Sequence, residues 1–277
     1  NDEGTNIIID NNNVIVAGSR EKTTGTFEYV TYKYVQKDII TPSEVNGQVN
    51  DKTFLFYENI GQEMNESLTS ISSKKFVTNS SPKYYFTGNN MSMVFASAHA
   101  DSNKVDTIHR IDLNFEGSLS DNKIYGYEEY GINTTYILGQ LSEPKIAPKG
   151  NQRMVISELY TGIDLQYYSN KDGGLKYYFV VKPGADPRNI IQYFNSTSYT
   201  TAINGSNQLV VTSSVGKITL GQPLAYQLNS AGTPTALAGS SYWHTYATNK
   251  YDFTLPSYTS SLTLIIVVNQ VSKQSSI

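Results

Sequence analysis

Apolar and polar residues alternate along much of the chain, and this pattern predicts β-strands. In residues 106–117, His109, Ile111, Leu113 and Phe115 alternate with mainly polar positions. Because successive side chains of a strand point to opposite faces, we expect this set to face the core.

Turn-forming residues separate these runs and predict hairpins. Asp and Asn occupy positions 10–13 between two β-branched runs, Gly-Asn-Asn occupies 88–90, and Lys-Asp-Gly-Gly occupies 171–174. Such residues adopt the backbone conformations that tight turns need. A short helix is predicted only for residues 63–73. Short strands at this spacing are typical of a sandwich or barrel.

We therefore expect an all-β, mainly antiparallel fold with two β-sandwich-like lobes, residues 46–150 and 151–277. Residues 1–45 form a β-hairpin segment and linker before them. A single extended sandwich is the alternative. The apolar run at 262–268 is expected to be a buried central strand, and donation of this strand to a neighbouring sheet is the alternative.

Composition narrows the functional classes. The 277 residues carry a net charge of -3, so the chain lacks the basic surface typical of nucleic-acid binding. With no cysteine, neither a disulfide framework nor a thiolate metal site can form. The longest apolar run is too short to span a bilayer. No signal-peptide pattern opens the chain, and we therefore expect that a signal was removed or that this is a piece of a longer protein.

Histidine and carboxylate residues offer one candidate metal or acid–base site. If the strands around them pair, His99, Asp101 and His109 approach each other, and two imidazoles with a carboxylate suit zinc. No metal-ligand spacing such as HExxH occurs, so we favour ordinary positions on a sheet.

Glycoside hydrolysis needs two carboxyl groups about 5–10 Å apart. The candidates are Glu116, Glu128, Glu129, Glu158 and Asp164. Glu128 and Glu129 are adjacent and would point to opposite faces of a strand. For Asp164 we favour a structural role, in which the side chain accepts backbone N–H bonds. No catalytic residue is predicted.

Oxygen-rich turns are the candidate calcium sites. These are Asp10–Asn13 and Asp172 with the two glycines that follow it. Neither matches an EF-hand loop, and turn chemistry explains both. We therefore predict no cofactor, with calcium as the alternative.

A dense aromatic segment, residues 240–251, supplies the candidate binding residues Tyr242, Trp243, Tyr246 and Tyr251. Aromatic rings with a polar tip suit sugar stacking or protein contact when they are exposed. On a strand, Tyr242 and His244 share one face while Trp243 takes the other. For Trp243 we favour a place in the core.

Two parts of the chain resemble known families. Residues 14–34 (VIVAGSREKTTGTFEYVTYKY) resemble one SBBP-type β-propeller repeat. Residues 54–268 resemble the uncharacterised all-β domain that accompanies such repeats in secreted bacterial proteins. The landmarks include FYENIGQ at 56–62, LYTGIDLQYYSN at 159–170 and LKYYFVVKPGADP at 175–187.

The resemblance implies secretion and display on the bacterial cell surface, often by a type IX route, and supplies no catalytic residues. We expect a non-catalytic structural or adhesive module, part of a larger adhesin or a filament subunit. Its partners would be other surface proteins or copies of itself, and neither nucleic acid nor a membrane span is expected. A glycan-binding module is the first alternative and a glycoside hydrolase the second.

Overall fold

The computed structural model describes the chain in two compact units, residues 1–41 and 42–277. The residues described are 2–10, 13–23, 26–35, 54–61, 63, 74–97, 107–130, 134–136, 145–147, 149–169, 174–194, 199–214 and 216–275. The predicted helix at 63–73 lies outside them apart from residue 63.

The first unit is a three-stranded antiparallel sheet. Its strands are β1 (Asp2–Asp10), β2 (Asn13–Thr23) and β3 (Thr26–Val35), with β2 in the centre. Asp10 pairs with Asn13 in the β1–β2 register, which confirms the hairpin predicted there.

The second unit contains twenty strands and one 3-10 turn within its described residues. The strands are β4 (Phe56–Glu58), β5 (Phe76–Thr78), β6 (Lys83–Phe86), β7 (Asn90–Ser97), β8 (Thr107–Glu116), β9 (Lys123–Tyr130), β10 (Thr134–Tyr136), β11 (Lys145–Ala147), β12 (Gly150–Tyr160), β13 (Ile163–Ser169), β14 (Leu175–Val181), β15 (Ile191–Phe194), β16 (Tyr199–Ile203), β17 (Leu209–Ser213), β18 (Gly216–Leu220), β19 (Leu224–Leu228), β20 (Pro234–Ala236), β21 (Tyr242–Ala247), β22 (Lys250–Thr254) and β23 (Leu264–Ser275). The 3-10 turn covers Pro187–Asn189. Over the part of the chain described, no helix has the length and apolar character needed to cross a membrane.

Two runs of antiparallel strands build a large, nearly closed sheet. The first run is β4-β5-β6-β7-β8-β15-β22-β21. The second is β9-β12-β13-β14-β23-β19-β20. The far end of β23 pairs with β18, which continues into β17 and β16. Every strand pairing among the described residues is antiparallel, so the predicted all-β fold class is confirmed.

The two runs join where Phe56 of β4 pairs with Asn151 of β12. The Asn151 side-chain amide also donates to the Phe56 carbonyl at 3.2 Å. A β-carbon at Gly126 would meet that amide at 2.2 Å, so only glycine fits on the neighbouring strand β9.

The core lies between the two runs and is rich in aromatic rings. The rings of Phe86 and Tyr167, one from each run, have centroids 4.9 Å apart, and those of Phe115 and Phe179 are 6.0 Å apart. Each such buried side chain contributes about 1.5–3 kcal/mol to folding. Ile111, Leu113 and Phe115 are buried while Arg110 is exposed, as the alternation in 106–117 predicts.

The predicted boundary at residue 150 does not separate two lobes. Strand β15 pairs with β8, and β12 pairs with both β9 and β4, so strands from both sides of residue 150 lie side by side. Residues 46–150 and 151–277 therefore share one core. Hydrophobic alternation identifies strands but not their partners, which is why the sequence suggested two lobes.

Strand β23 is central, as we favoured for its apolar run. Residues 264–267 pair with β14 on one side and β19 on the other. Residues 264–268 are almost fully buried. Because both edges of this segment are already paired within the chain, donation to a neighbouring sheet does not fit this structure.

Candidate binding surface

The hairpin β21–β22 divides the predicted aromatic set between two environments. Tyr242 is 44% exposed and Tyr246 is 54% exposed, whereas Trp243 and Tyr251 are each 3% exposed. Tyr242 and Trp243 follow the strand alternation, and Tyr246 lies at a bulge between Thr245 and Ala247. The structure therefore retains Tyr242 and Tyr246 as candidate binding residues.

Trp243 lies in the core, as we favoured, and Tyr251 lies there too, so these two candidate binding residues are corrected to core residues. The ring centroid of Trp243 lies 5.0 Å from that of Phe253, and its Nε1 donates to the Gly221 carbonyl at 2.8 Å. The Tyr251 hydroxyl donates to Thr201 Oγ1 at 2.7 Å. Their rings fill the core and their polar atoms are used there, so neither side chain can stack on a surface ligand.

His244 lies between the two exposed tyrosines. Its Nδ1 is 2.6 Å from Asp252 Oδ1 on the neighbouring strand, and its side chain is largely exposed. The carboxylate fixes the orientation of the imidazole, which leaves Nε2 as a polar group at the surface. Tyr242, His244 and Tyr246 together form what we call the β21 face.

Side chains from other segments occupy the open edge of β21. Asn207 Oδ1 accepts the Trp243 N–H at 2.7 Å, and Asn207 Nδ2 donates to the Trp243 carbonyl at 3.5 Å. Gln222 Nε2 donates to the Ser241 carbonyl at 2.8 Å. These bonds use backbone groups that would otherwise template pairing with another strand. The β21 edge is therefore covered at Trp243, whereas the side chains of the β21 face stay exposed and are the candidate binding surface.

The carboxylate of Glu116 is tied to the same hairpin. Lys250 Nζ lies 2.6 Å from Glu116 Oε2 and 5.9 Å from the centre of the Tyr193 ring. Glu116, one of the candidate hydrolytic carboxylates on β8, therefore forms an ion pair with Lys250 on β22, and β15 lies between these two strands.

Glu158 and Asp164 meet at one site, but their contacts are structural. Asp164 Oδ1 accepts the Glu158 N–H at 2.7 Å, as we favoured for Asp164, and Glu158 Oε2 accepts the Gly162 N–H at 2.8 Å. Lys182 forms ion pairs with both carboxylates. Burial alone would lower the pKa of Lys182, but its hydrogen bond to Glu158 and the charge of Asp164 outweigh burial and raise it. The group stabilises the irregular β12–β13 turn.

Glu128 and Glu129 have separate partners, and Glu128 has a φ of 58°, which departs from the regular strand that the sequence predicted. Glu128 forms an ion pair with the buried guanidinium of Arg153. Burial alone would lower the pKa of Arg153. Its interactions, led by the hydrogen bond to Glu128, outweigh burial, so the pKa of Arg153 is raised. Glu129 lies 3.9 Å from Lys149.

The histidine and calcium candidates fall largely outside the described residues. His99 and Asp101 lie outside, and His109 is described as a backbone position paired with Phe95. Asn11, Asn12, Asp172 and Gly173 also lie outside. Within the described ranges, no group of three or more histidine, aspartate and glutamate residues is arranged to hold a metal ion.

Strand β9 carries a second pair of exposed tyrosines that our sequence reasoning missed. Tyr127 is 40% exposed and packs against Arg153, and Tyr130 is 59% exposed. The alternation in KIYGYEEY at 123–130 was the available signal, but it does not reveal which face is exposed.

Comparison with known proteins gives one match. The model of a family described as a domain of unknown function, DUF7948, matches residues 56–266, which is most of the chain. Searches of curated proteins and of solved structures gave no match. The matched residues run from β4 into β23 and include the β21 face. The chain belongs to the DUF7948 family.

Proposed function

We propose that this domain is a non-catalytic structural or adhesive module of the bacterial cell surface, which acts by binding through the β21 face. One observation carries the proposal. Tyr242 and Tyr246 are exposed on a strand that Trp243, the residue after Tyr242, anchors in the core. An anchored strand lowers the entropy lost on binding, because the backbone that carries the two rings is already held in place.

The environment of the carboxylates supports a non-catalytic role. A retaining or inverting hydrolase needs two carboxyl groups that face a common substrate. Here Glu116 and Glu128 pair with cations on different strands. Glu158 and Asp164 do lie together, but they share Lys182 and hold backbone N–H groups.

Location and partners follow from the resemblance to domains that accompany SBBP repeats. Such domains are secreted, often by a type IX route, and displayed at the cell surface. On this proposal the partners are other surface proteins, copies of this chain or glycans. A surface with aromatic rings and few charges suits each of these partners.

An adhesion assay combined with an assay for turnover tests the proposal. Beads coated with the purified chain would be mixed with uncoated bacterial cells, with beads carrying the same chain, and with polysaccharide-coated beads. Released reducing ends and released amino groups would be measured in the same tubes. We expect adhesion to at least one surface without release. Release of product would show an enzyme, and failure to adhere to any of the three surfaces would contradict an adhesive role.

A further inference from the structure

The region around the β21 face is almost free of charge. From Ile218 to Asn249 the chain contains no Asp, Glu, Lys or Arg. Between that stretch and Ser272 the only charged residues are Lys250 and Asp252. Both have partners, since Lys250 pairs with Glu116 and Asp252 with His244.

These uncharged residues are connected in space. Leu237 donates its N–H to the Ala225 carbonyl, which ties the end of β20 to β19. The Gln227 side chain makes two hydrogen bonds with the backbone of Thr259, at 2.7 and 2.9 Å. The segment before β21 packs against the residues that follow β22, because Gly239 lies next to Pro256.

Exposed groups on this surface are hydroxyls, amides and aromatic rings. Most residues from 229 to 249 are exposed, and they are mainly Asn, Ser, Thr, Ala, Gly and Tyr. Within β21, the exposed tyrosines Tyr242 and Tyr246 are four residues apart, a backbone span of at most about 13 Å because the strand bulges between Thr245 and Ala247. A ligand that contacts both side chains must reach along the strand, which favours an extended ligand over a compact one.

We infer that the β21 face binds a neutral polysaccharide. An aromatic face packs against the C–H groups of a sugar ring, while tyrosine hydroxyls, His244 Nε2 and neighbouring amides match its hydroxyls. A polyanion would call for lysine or arginine, and a charged protein partner would call for complementary charges. The sequence from 218 to 249 supplies neither.

This inference rests on the proposed binding role and names its ligand class. The blocked edge of β21 supports it further. Asn207 occupies both backbone groups of Trp243, and Gln222 occupies the carbonyl of Ser241, where a peptide added as a strand would pair, while the side chains of Tyr242 and Tyr246 stay exposed. The arrangement thus favours a ligand that contacts side chains over one that pairs with the backbone.

Retention on a polysaccharide panel tests the ligand class. The purified chain would be applied to the neutral polymers cellulose, chitin, mannan and starch, and to the charged polymers polygalacturonate and chondroitin sulfate. We expect retention on at least one neutral polymer. Retention confined to charged polymers, or to none of the six, would overturn the inference.

Matched variants locate the surface. In the double variant Tyr242→Ala, Tyr246→Ala we expect retention to fall by about tenfold, which corresponds to about 1.4 kcal/mol of binding free energy. Tyr130→Ala removes an equally exposed ring from β9 and should leave retention unchanged. Circular dichroism and thermal unfolding would verify that all variants fold. If the double variant binds as well as the parent, the inference fails.

The two proposals fail in different ways. Adhesion of the beads to cells or to each other, without retention on neutral polymers, would overturn the polysaccharide inference and leave the adhesive role standing. Cleavage of a retained polymer would overturn the non-catalytic role itself.

Discussion

Two neighbouring tyrosines in the core differ in what their hydroxyl groups contact. The rings of Tyr167 and Tyr177 have centroids 5.7 Å apart and both are fully buried. The Tyr177 hydroxyl donates to Gln192 Oε1 at 2.7 Å. The Tyr167 hydroxyl has no hydrogen-bond partner among the described residues. A buried polar group without a partner destabilises the fold, whereas a paired one is close to neutral or favourable.

Replacement by phenylalanine should therefore act in opposite directions at these positions. We expect Tyr167→Phe to raise the free energy of unfolding by up to about 1 kcal/mol, because it removes an unpaired hydroxyl. Tyr177→Phe should lower it by about 1–2 kcal/mol, because Gln192 Oε1 then loses its partner. Urea denaturation of the two variants measures both. A loss of stability in Tyr167→Phe as large as that in Tyr177→Phe would contradict this account.

At the level of the strand, Asn207 has two roles at the edge of β21. Its side chain bonds both backbone groups of Trp243, and its own φ is 52°, in the left-handed region that asparagine and glycine tolerate best. Edge strands without such protection are prone to pair with other chains.

Two substitutions at this position separate the roles. Asn207→Gly keeps the backbone conformation and removes the side chain that covers the edge of β21. We therefore expect the free energy of unfolding to fall by about 1–2 kcal/mol and the protein to self-associate as its concentration rises. Asn207→Ala should lose about 1 kcal/mol more, because alanine disfavours positive φ. Urea denaturation and light scattering measure these effects. Equal free energies of unfolding for the glycine variant and the parent would show that the Asn207 side chain does not stabilise the fold.

Across the whole molecule, buried tyrosines link stability to alkaline pH. Burial raises the pKa of Tyr84, Tyr160, Tyr167 and Tyr177 above the ordinary tyrosine value. The unfolded chain therefore loses these protons first as pH rises. Stability from these groups is fully present below about pH 10 and is lost as pH rises above that value toward the higher pKa values of the folded state.

We expect the free energy of unfolding to fall steeply above about pH 10, by up to about 1.4 kcal/mol per pH unit for each such tyrosine. Chemical denaturation across the alkaline range measures the slope. Tyr167→Phe is the matched control, since it removes one titrating group. It should reduce the dependence of the free energy of unfolding on pH by the contribution of one tyrosine. A free energy of unfolding that stays constant through this range would contradict the linkage.

Local features of this fold were predictable from the sequence because they depend on near neighbours. The alternation in 106–117 gave the core face, and Asp10–Asn13 gave a hairpin. The alternation of Tyr242 and Trp243 gave their opposite environments. Each of these follows from the two-residue repeat of a strand or from turn chemistry.

Features that join distant segments were not predictable in the same way. The pairing of β15 with β8 connects residues far apart in the chain, and alternation carries no information about such partners. The covered edge of β21 depends on a hydrogen bond between Asn207 and Trp243, which are 36 positions apart in the sequence. The exposed Tyr127 and Tyr130 were missed because only the assembled sheet shows that the last four residues of β9 are all exposed.

The central claim, that the β21 face is the binding surface, is tested most directly by tyrosine nitration followed by peptide mass spectrometry, with and without a bound surface component. The account predicts that binding protects Tyr242 and Tyr246 and leaves the equally exposed Tyr127 and Tyr130 reactive. Unchanged nitration of Tyr242 and Tyr246 in the bound state, with protection on β9 instead, would contradict it.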